Sequence, residues 1–379
     1  MNRFASECGF GLLFTALLSI IPLVPSDSNE PDVITASFSS FRGAILLNPR
    51  QESGNFGYFL LDSGVSVPVI DEKLAREAIN IEGEGSINIT SEVLENFLSI
   101  PHMESSKILL EDLFPLSRKL GVRIFGVIPL YFPGYEVFLD FGDGRVGWCS
   151  LSMRTKEKIK KIPTVELNFS ASTQIPRVLV ILNRRYSIVA NVDITKGEHI
   201  GLPLRVLNER KIGVRDMKFA HFEGKREVCY FKLDSIRVAS LEMKNVVGVA
   251  SVDEIEPWLG IKFWRNFGVG INYELGKIYF LVRNEDLEEG EWSGTGVLLD
   301  CLIEEGWLVG VIEDSSAWES GIVPGDLLIS IESKNANSVF VEDLLKLLNG
   351  DKGREVKCVF KSKVTGVKKE VILKCRSIL

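Results

Sequence analysis

Short apolar runs, broken by polar residues and closed by glycine turns, recur through most of the chain. Val137-Phe138-Leu139-Asp140-Phe141 leads to Gly144 and resumes as Arg145-Val146. Val269-Gly270-Ile271-Asn272-Tyr273 leads to Gly276 and resumes as Lys277-Ile278, at one constant offset from the first copy. Each reads as a β-hairpin, because alternation with period two followed by a glycine turn lets a strand fold back on itself. Upstream, Phe59-Leu60-Leu61-Asp62 and Val189-Ala190-Asn191-Val192-Asp193 stand at nearly the same offset. Long helical periodicities are scarce in both halves. The economical account is a duplication that gives two β-rich lobes, residues 27–155 and 156–284.

An acidic stretch, residues 285–292, reads as a linker to a third unit, residues 293–379. That unit carries Gly294-Thr295-Gly296-Val297-Leu298, an apolar strand at 307–312, and Pro324-Gly325-Asp326-Leu327-Leu328. Residues 341–348 have helical periodicity, and 356–360 and 371–373 read as closing strands. Lys357, Lys361, Lys363, Lys368, Lys369 and Lys374 alternate with Val356, Cys358 and Phe360. This places the lysines on solvated outer strand faces, where they also discourage edge pairing.

Composition changes the picture at the N-terminus. Arg3 precedes an uncharged run over residues 8–26, strongly apolar from 9 to 24. A charged start, an apolar stretch and small residues afterwards describe a secretory signal peptide over residues 1–26, with Val24 and Ser26 at the cleavage positions. The expected location is periplasmic or secreted. The alternative is an uncleaved N-terminal membrane anchor, although the run is short and holds Pro22 and Pro25. No later segment reads as membrane-spanning. The net charge of −7 argues against a nucleic-acid partner. With three histidines and no H-E-x-x-H, no metal and no cofactor are expected. The cysteines after Cys8 (Cys149, Cys229, Cys301, Cys358 and Cys375) are widely spaced, without a C-x-x-C. They read as buried or free thiols, with one bridge among the last three as the alternative.

The chemistry candidate is Asp62. An apolar strand delivers a carboxylate at its end, and burial of that charge is costly unless it has partners or a task. Ser63 can bond a neighbouring loop, and Gly64 permits a tight turn with positive φ. Alone, Asp-Ser-Gly reads equally as a turn that caps itself. The second Asp at the matching repeat position points beyond that.

The order Asp62-Ser63-Gly64, Ile124-Phe125-Gly126, then a hairpin ending at Asp140, resembles a lobe of a retropepsin-type aspartic protease. Trp258-Leu259-Gly260 before Val269–Tyr273 resembles the same family's second lobe, and Phe231–Ile236 the strand after its flap. Residues 293–375 resemble a PDZ domain, chiefly through Ala317…Gly321-Ile322…Pro324-Gly325-Asp326-Leu327-Leu328. The resemblance implies a mainly β fold of two retropepsin-like β-barrel lobes followed by a PDZ-like α+β domain. It implies an exported aspartic endopeptidase with Asp62 and Asp193 as catalytic pair, sharing one proton and activating a water. Ser63, Gly64 and Thr195 would shape the active-site loops. Residues 221–230, with Gly224 near the tip, would form a flap, and residues 82–89 its shorter counterpart. The PDZ-like unit would take a polypeptide C-terminus at Gly294, Thr295, Gly296, Val297 and Leu298, with Leu344 and Leu348 lining the pocket.

Lobe 2 departs from the pattern. Asp193-Ile194-Thr195-Lys196-Gly197 puts Ile194 at the hydroxyl position and Thr195 at the glycine position. The loop to Pro203 is longer than the one from Asp62 to Pro68. A β-branched residue resists positive φ, and Lys196 is placed to pair with Asp193. The alternative function is therefore a catalytically inactive peptide-binding protein on the same fold. No G-x-S-x-G is present, and Gly294-x-Gly296 lacks the third glycine of a nucleotide loop. The tripeptides at Asn88 and Asn168 match glycosylation sequons too common to weigh.

Overall fold

A computed structural model describes residues 33–41, 44–48, 57–79, 94, 98, 100–101, 108–151, 164–168, 175–225, 227–282 and 292–379. The signal-peptide segment and the flap counterpart at 82–89 lie outside them. The chain is mainly β.

Lobe 1 runs β1 (Val33–Phe41), β2 (Ala44–Leu47), β3 (Tyr58–Asp62), β4 (Val69–Asp71), α1 (Glu72–Ile79), β5 (Leu109–Glu111), α2 (Phe114–Leu120), β6 (Ile124–Pro129), β7 (Tyr135–Asp140) and β8 (Arg145–Ser150). Lobe 2 runs β9 (Thr164–Asn168), β10 (Arg177–Leu182), β11 (Tyr186–Val192), β12 (Ile200–Pro203), α3 (Leu204–Glu209), β13 (Arg215–His221), β14 (Glu227–Val238), β15 (Leu241–Ser251), β16 (Trp258–Leu259), α4 (Ile261–Trp264), β17 (Phe267–Asn272) and β18 (Lys277–Val282). The repeat read from sequence recurs as pairing. β3 runs parallel to β6 as β11 does to β16, β4 lies antiparallel to β6 as β12 does to β16, and β4–β5 matches β12–β15. The closing hairpins β7–β8 and β17–β18 then pair with each other through β7 and β17, so both lobes share one sheet.

Alternation explains the layers. Ile45, Leu47, Phe59 and Leu61 point into a core that continues through both lobes to Phe280. Ala44, Leu46 and Leu60, from the same strands, are equally buried, but against the C-terminal unit. This is why Phe59-Leu60-Leu61 is apolar throughout rather than alternating: both faces of the strand are covered.

The C-terminal unit comprises β19 (Ser293–Gly294), β20 (Val297–Ile303), β21 (Gly306–Ile312), α5 (Ser316–Glu319), β22 (Leu327–Ile331), β23 (Lys334–Asn335), α6 (Val341–Leu348), β24 (Glu355–Lys361), β25 (Lys368–Lys374) and β26 (Arg376–Ser377). The helix read at 341–348 is there, with Val341, Leu344 and Leu348 in the core. On β24, Lys357 faces solvent while Cys358 and Phe360 are buried, and Lys357 pairs with Glu370 at 2.7 Å. Asp326 explains the Pro-Gly-Asp turn: its carboxylate accepts the Val323 and Lys363 N–H groups, each at 3.1 Å.

The unit is joined to both lobes. α2 lies on β20, with Arg118 Nε donating to the Leu302 carbonyl at 2.9 Å, and Trp307 packs on Gly121. β21 pairs with β13, which makes the C-terminal unit and lobe 2 one continuous sheet. Gly121 has φ of 74° and closes α2; a Cβ there would overlap the Trp307 ring.

Gly121→Ala is expected to destabilise the chain by about 2–4 kcal/mol, combining overpacking with left-handed strain. Gly134→Ala, with φ of 79° but open space around it, is expected to cost only about 1 kcal/mol. Denaturant unfolding of both variants measures the difference.

Candidate active site

The strand pairings place Asp62 and Asp193 at equivalent ends. The Asp62 carbonyl accepts the Leu130 N–H at 2.9 Å, tying β3 to the segment after β6. In lobe 2 the tie is reversed, as the Asp193 N–H donates to the Leu259 carbonyl at 2.9 Å. Register corrects one expectation. Asp62 stands opposite Pro129, and Val192 opposite Leu259. The lobe-1 counterpart of Trp258-Leu259-Gly260 is therefore Val127-Ile128-Pro129, not Ile124-Phe125-Gly126. Gly126 serves packing instead: a Cβ there would meet the Val69 carbonyl at 2.8 Å, where β4 crosses.

Both aspartates close their loops in the same way. Asp62 Oδ1 accepts the Gly64 N–H at 2.7 Å. Asp193 Oδ1 accepts the Thr195 N–H at 2.9 Å and the Thr195 hydroxyl at 2.6 Å. Neither Gly64 nor Thr195 has positive φ. The expected need for glycine's freedom was misplaced, because the carboxylate holds each turn shut in ordinary backbone geometry. Thr195 thus fits where Gly64 sits and adds a donor.

The two loops meet across the lobe seam. The Ser63 hydroxyl, buried, donates to the Val192 carbonyl at 3.2 Å. The position that would return this bond is Ile194, which is buried among apolar neighbours instead. The seam is pinned by a hydrogen bond on one side and by packing on the other.

Charge follows the same asymmetry. The Asp62 carboxyl is pushed above the ordinary range, chiefly by burial; the Gly64 N–H opposes this, and the charge on Asp193 adds to it. Asp62 in turn acts on Tyr273, whose hydroxyl is held above its usual range by burial and then by that charge. Tyr273 packs on Tyr131 with ring centroids 4.9 Å apart. This aromatic pair beside the site was not singled out from sequence. The signal for Tyr273 was its place directly after the repeat strand, opposite Phe141.

Lys196 does not pair with Asp193. Its Nζ lies 2.9 Å from Glu254 Oε1 and 5.4 Å from the Trp258 ring centroid. The longer loop folds over Gly260, where a Cβ would strike the Glu198 carbonyl and lie 2.6 Å from the Lys196 carbonyl. Other nucleophiles and bases are out of play. His199 is buried and pushed down to about 3, first by burial and then by Lys262. Burial pushes the Cys229 thiol up to about 11 and Cys358 up to about 12. All five described cysteines are unbridged. Among the described residues no acidic, histidine or cysteine cluster is set to hold a metal, and no helix is long and apolar enough to cross a membrane.

The PDZ-like loop is folded inward. Gly294, Thr295, Gly296 and Val297 are buried. The Thr295 N–H donates to the Leu348 carbonyl at 2.8 Å, and the Val297 N–H to Thr295 Oγ1 at 3.3 Å. Gly296, at φ of 85°, abuts Ser315 so closely that a Cβ would overlap its hydroxyl. Leu344 and Leu348, expected to line a pocket, are core residues. Leu298 packs toward Ala220, Val247 and Ile312. The hairpin expected as a flap is present as β13 and β14, with its tip on the C-terminal unit.

No family model and no curated protein matches the chain. Three solved structures are similar to parts of it. A retropepsin-like aspartic protease from Rickettsia conorii is 16% identical with a TM-score of 0.26, over 32% of this chain and 91% of that one. The PDZ domain of the carboxy-terminal protease from Vibrio cholerae, in complex with peptide, is 19% identical with a TM-score of 0.20, over 23% and 96%. The HtrA-type protease AlgW with decapeptide is 14% identical with a TM-score of 0.23, over 63% and 69%.

Ser63→Ala is expected to cost about 1–2 kcal/mol, since it strips the buried Val192 carbonyl of its donor; thermal unfolding reads the loss. A second expectation concerns pH. With its carboxyl raised in the folded state, Asp62 binds its proton more tightly folded than unfolded. Its contribution to stability is present in acid and declines as pH rises from the unfolded value of 3.8 through the raised one. Asp62→Asn, which keeps the acceptor for Gly64, should be more stable than the parent above this window, and the advantage should vanish toward acid. Parallel denaturation curves from pH 3 to pH 7 test the sign.

Proposed function

We propose that this chain is an aspartic-type endopeptidase that hydrolyses peptide bonds in polypeptides through Asp62 and Asp193. The observation that carries the reading is the tying of these two carboxylates, from repeat-equivalent strand ends, across the lobe seam by the Ser63–Val192 hydrogen bond, with Asp62 raised in part by the charge on Asp193. Two neighbouring carboxyls that cannot both ionise cheaply share one proton. Asp193, with two donors on one oxygen, is suited to carry the charge and take a proton from a water. Asp62, whose carboxyl is raised, is suited to hold the proton and polarise the scissile carbonyl. Neither role draws on a metal, a cofactor or a covalent nucleophile. The N-terminal apolar run fits an exported enzyme, acting in the periplasm or outside the cell.

A second reading has its own observation. Ile194 gives lobe 2 no hydroxyl to return the seam bond, which favours a cleft that holds an extended polypeptide without cutting it. For the C-terminal unit the inward loop favours packing against the lobes over capture of a free C-terminus, because Thr295 and Val297 N–H groups already have acceptors.

Mature protein is expected to cleave unstructured polypeptides best in acid, with activity falling as pH rises through the Asp62 value. Asp62→Asn and Asp193→Asn should each lower kcat by about a thousandfold or more, in keeping with loss of an acid–base partner. Peptide mapping by mass spectrometry decides. Full activity in either variant removes the assignment, and binding without cleavage by the parent selects the second reading.

A further inference from the structure

The hairpin β13–β14 leaves lobe 2 and ends on the C-terminal unit. Ala220 and His221 pair with Ile312 and Val311, and the Glu313 N–H donates to the Phe219 carbonyl at 2.9 Å. Phe222 lies against Gly310. Side chains complete the contact: His221 Nε2 with Glu313 Oε1 at 2.7 Å, Lys218 Nζ with Asp314 Oδ2 at 2.9 Å, and Glu223 with Lys363. Beside the hairpin, a cavity of about 380 Å³ separates Phe219, Gly224 and Glu227 from Leu204, Val252 and Asp253 of the lobe body.

The hairpin is held unequally along its length. At the base, β14 pairs with β15 from Val228 to Val238. At the tip, the seam is two residue pairs and a few half-exposed ion pairs, which individually contribute little. A strand pair firmly rooted at one end, lightly held at the other and flanked by open space is a lever with a catch.

We infer that the C-terminal unit is that catch: it parks the lobe-2 hairpin away from the cleft, and release lets the hairpin close toward Asp62 and Asp193. The device rests on the reading of that cleft as the polypeptide site and regulates its access. A partner that engages the C-terminal unit near Val311–Asp314 or Lys363 competes for the hairpin tip and so acts on the cleft from a distance. The coupling needs no rearrangement of either lobe core, because only the tip seam has two states.

The test uses the full chain. Glu223→Lys combined with Asp314→Lys sets like charges against Lys363 and Lys218. Adding Lys363→Glu and Lys218→Glu restores opposite charges with polarity swapped. All four positions lie on the surface, and thermal unfolding verifies that each variant folds. Two readouts are independent of turnover: amide exchange over residues 219–225 and 311–314, and the rate at which a water-soluble carbodiimide labels Asp62. The double variant is expected to exchange at least threefold faster at the hairpin tip and to label at least threefold more slowly, and the swapped variant to return both to the parent. Unchanged tip exchange overturns the catch. Faster exchange with unchanged or faster labelling overturns the closure. If Asp62→Asn instead leaves peptide cleavage intact, the catalytic reading fails, while the exchange and labelling results still decide the catch.

Discussion

Four residue pairs, Val137↔Ile271 through Asp140↔Gly268, join the closing hairpins of the two lobes. Their pairing makes a duplicated sequence into a single site. The flanking hairpins are copies of each other, so placing β7 beside β17 turns the copies face to face and brings the ends of β3 and β11 to one side. The approach is tight: a Cβ on Gly270 would meet the Phe138 ring at 2.9 Å. One apolar core then spans both lobes without interruption. Because packed interiors resist small displacements, the loops carrying Asp62 and Asp193 are held in place by distant strands rather than by their own few hydrogen bonds.

Within that frame the site is asymmetric, and each asymmetry traces to a side chain. Ser63 offers a hydroxyl to the opposite lobe, whereas Ile194 offers only volume. Gly64 offers one donor to its aspartate, and Thr195 offers two. The aspartate with fewer donors is the one whose carboxyl is raised. A degenerate second motif therefore divides the work between two carboxylates that an exact repeat would have left equivalent.

The legible part of the fold was what local periodicity encodes. The hairpins at 137–146 and 269–278, the helix at 341–348 and the outward lysines of β24 all declare themselves within a few residues. What the sequence hid was set by partners far along the chain. The uninterrupted run Phe59-Leu60-Leu61 announced burial on both faces but not that Trp307 and its neighbours supply the second cover. The lobe-1 counterpart of Gly260 was misplaced because register, not spelling, sets Pro129 opposite Asp62. Positive φ at the aspartate loops was expected because glycine permits it; the Asp62 and Asp193 side chains make it unnecessary. Lys196 beside Asp193 looked like a counterion until Glu254 and Trp258 arrived from another strand. The PDZ-like loop carried the right glycines, but its amides turn toward Leu348 and Thr295.

The second apolar face of lobe 1 also bears on the order in which the molecule can form. Ala44, Leu46 and Leu60 are made early in synthesis, while Trp307, Val309 and Phe360, in the core that covers them, come last. Until those residues emerge, a nascent chain with both lobes otherwise complete carries a greasy flank in water, and contacts so distant in sequence close slowly. The final strands are thus the step that ends the chain's exposure to aggregation, and a ribosome or translocation channel that pauses before them leaves an adhesive intermediate for a chaperone to shield.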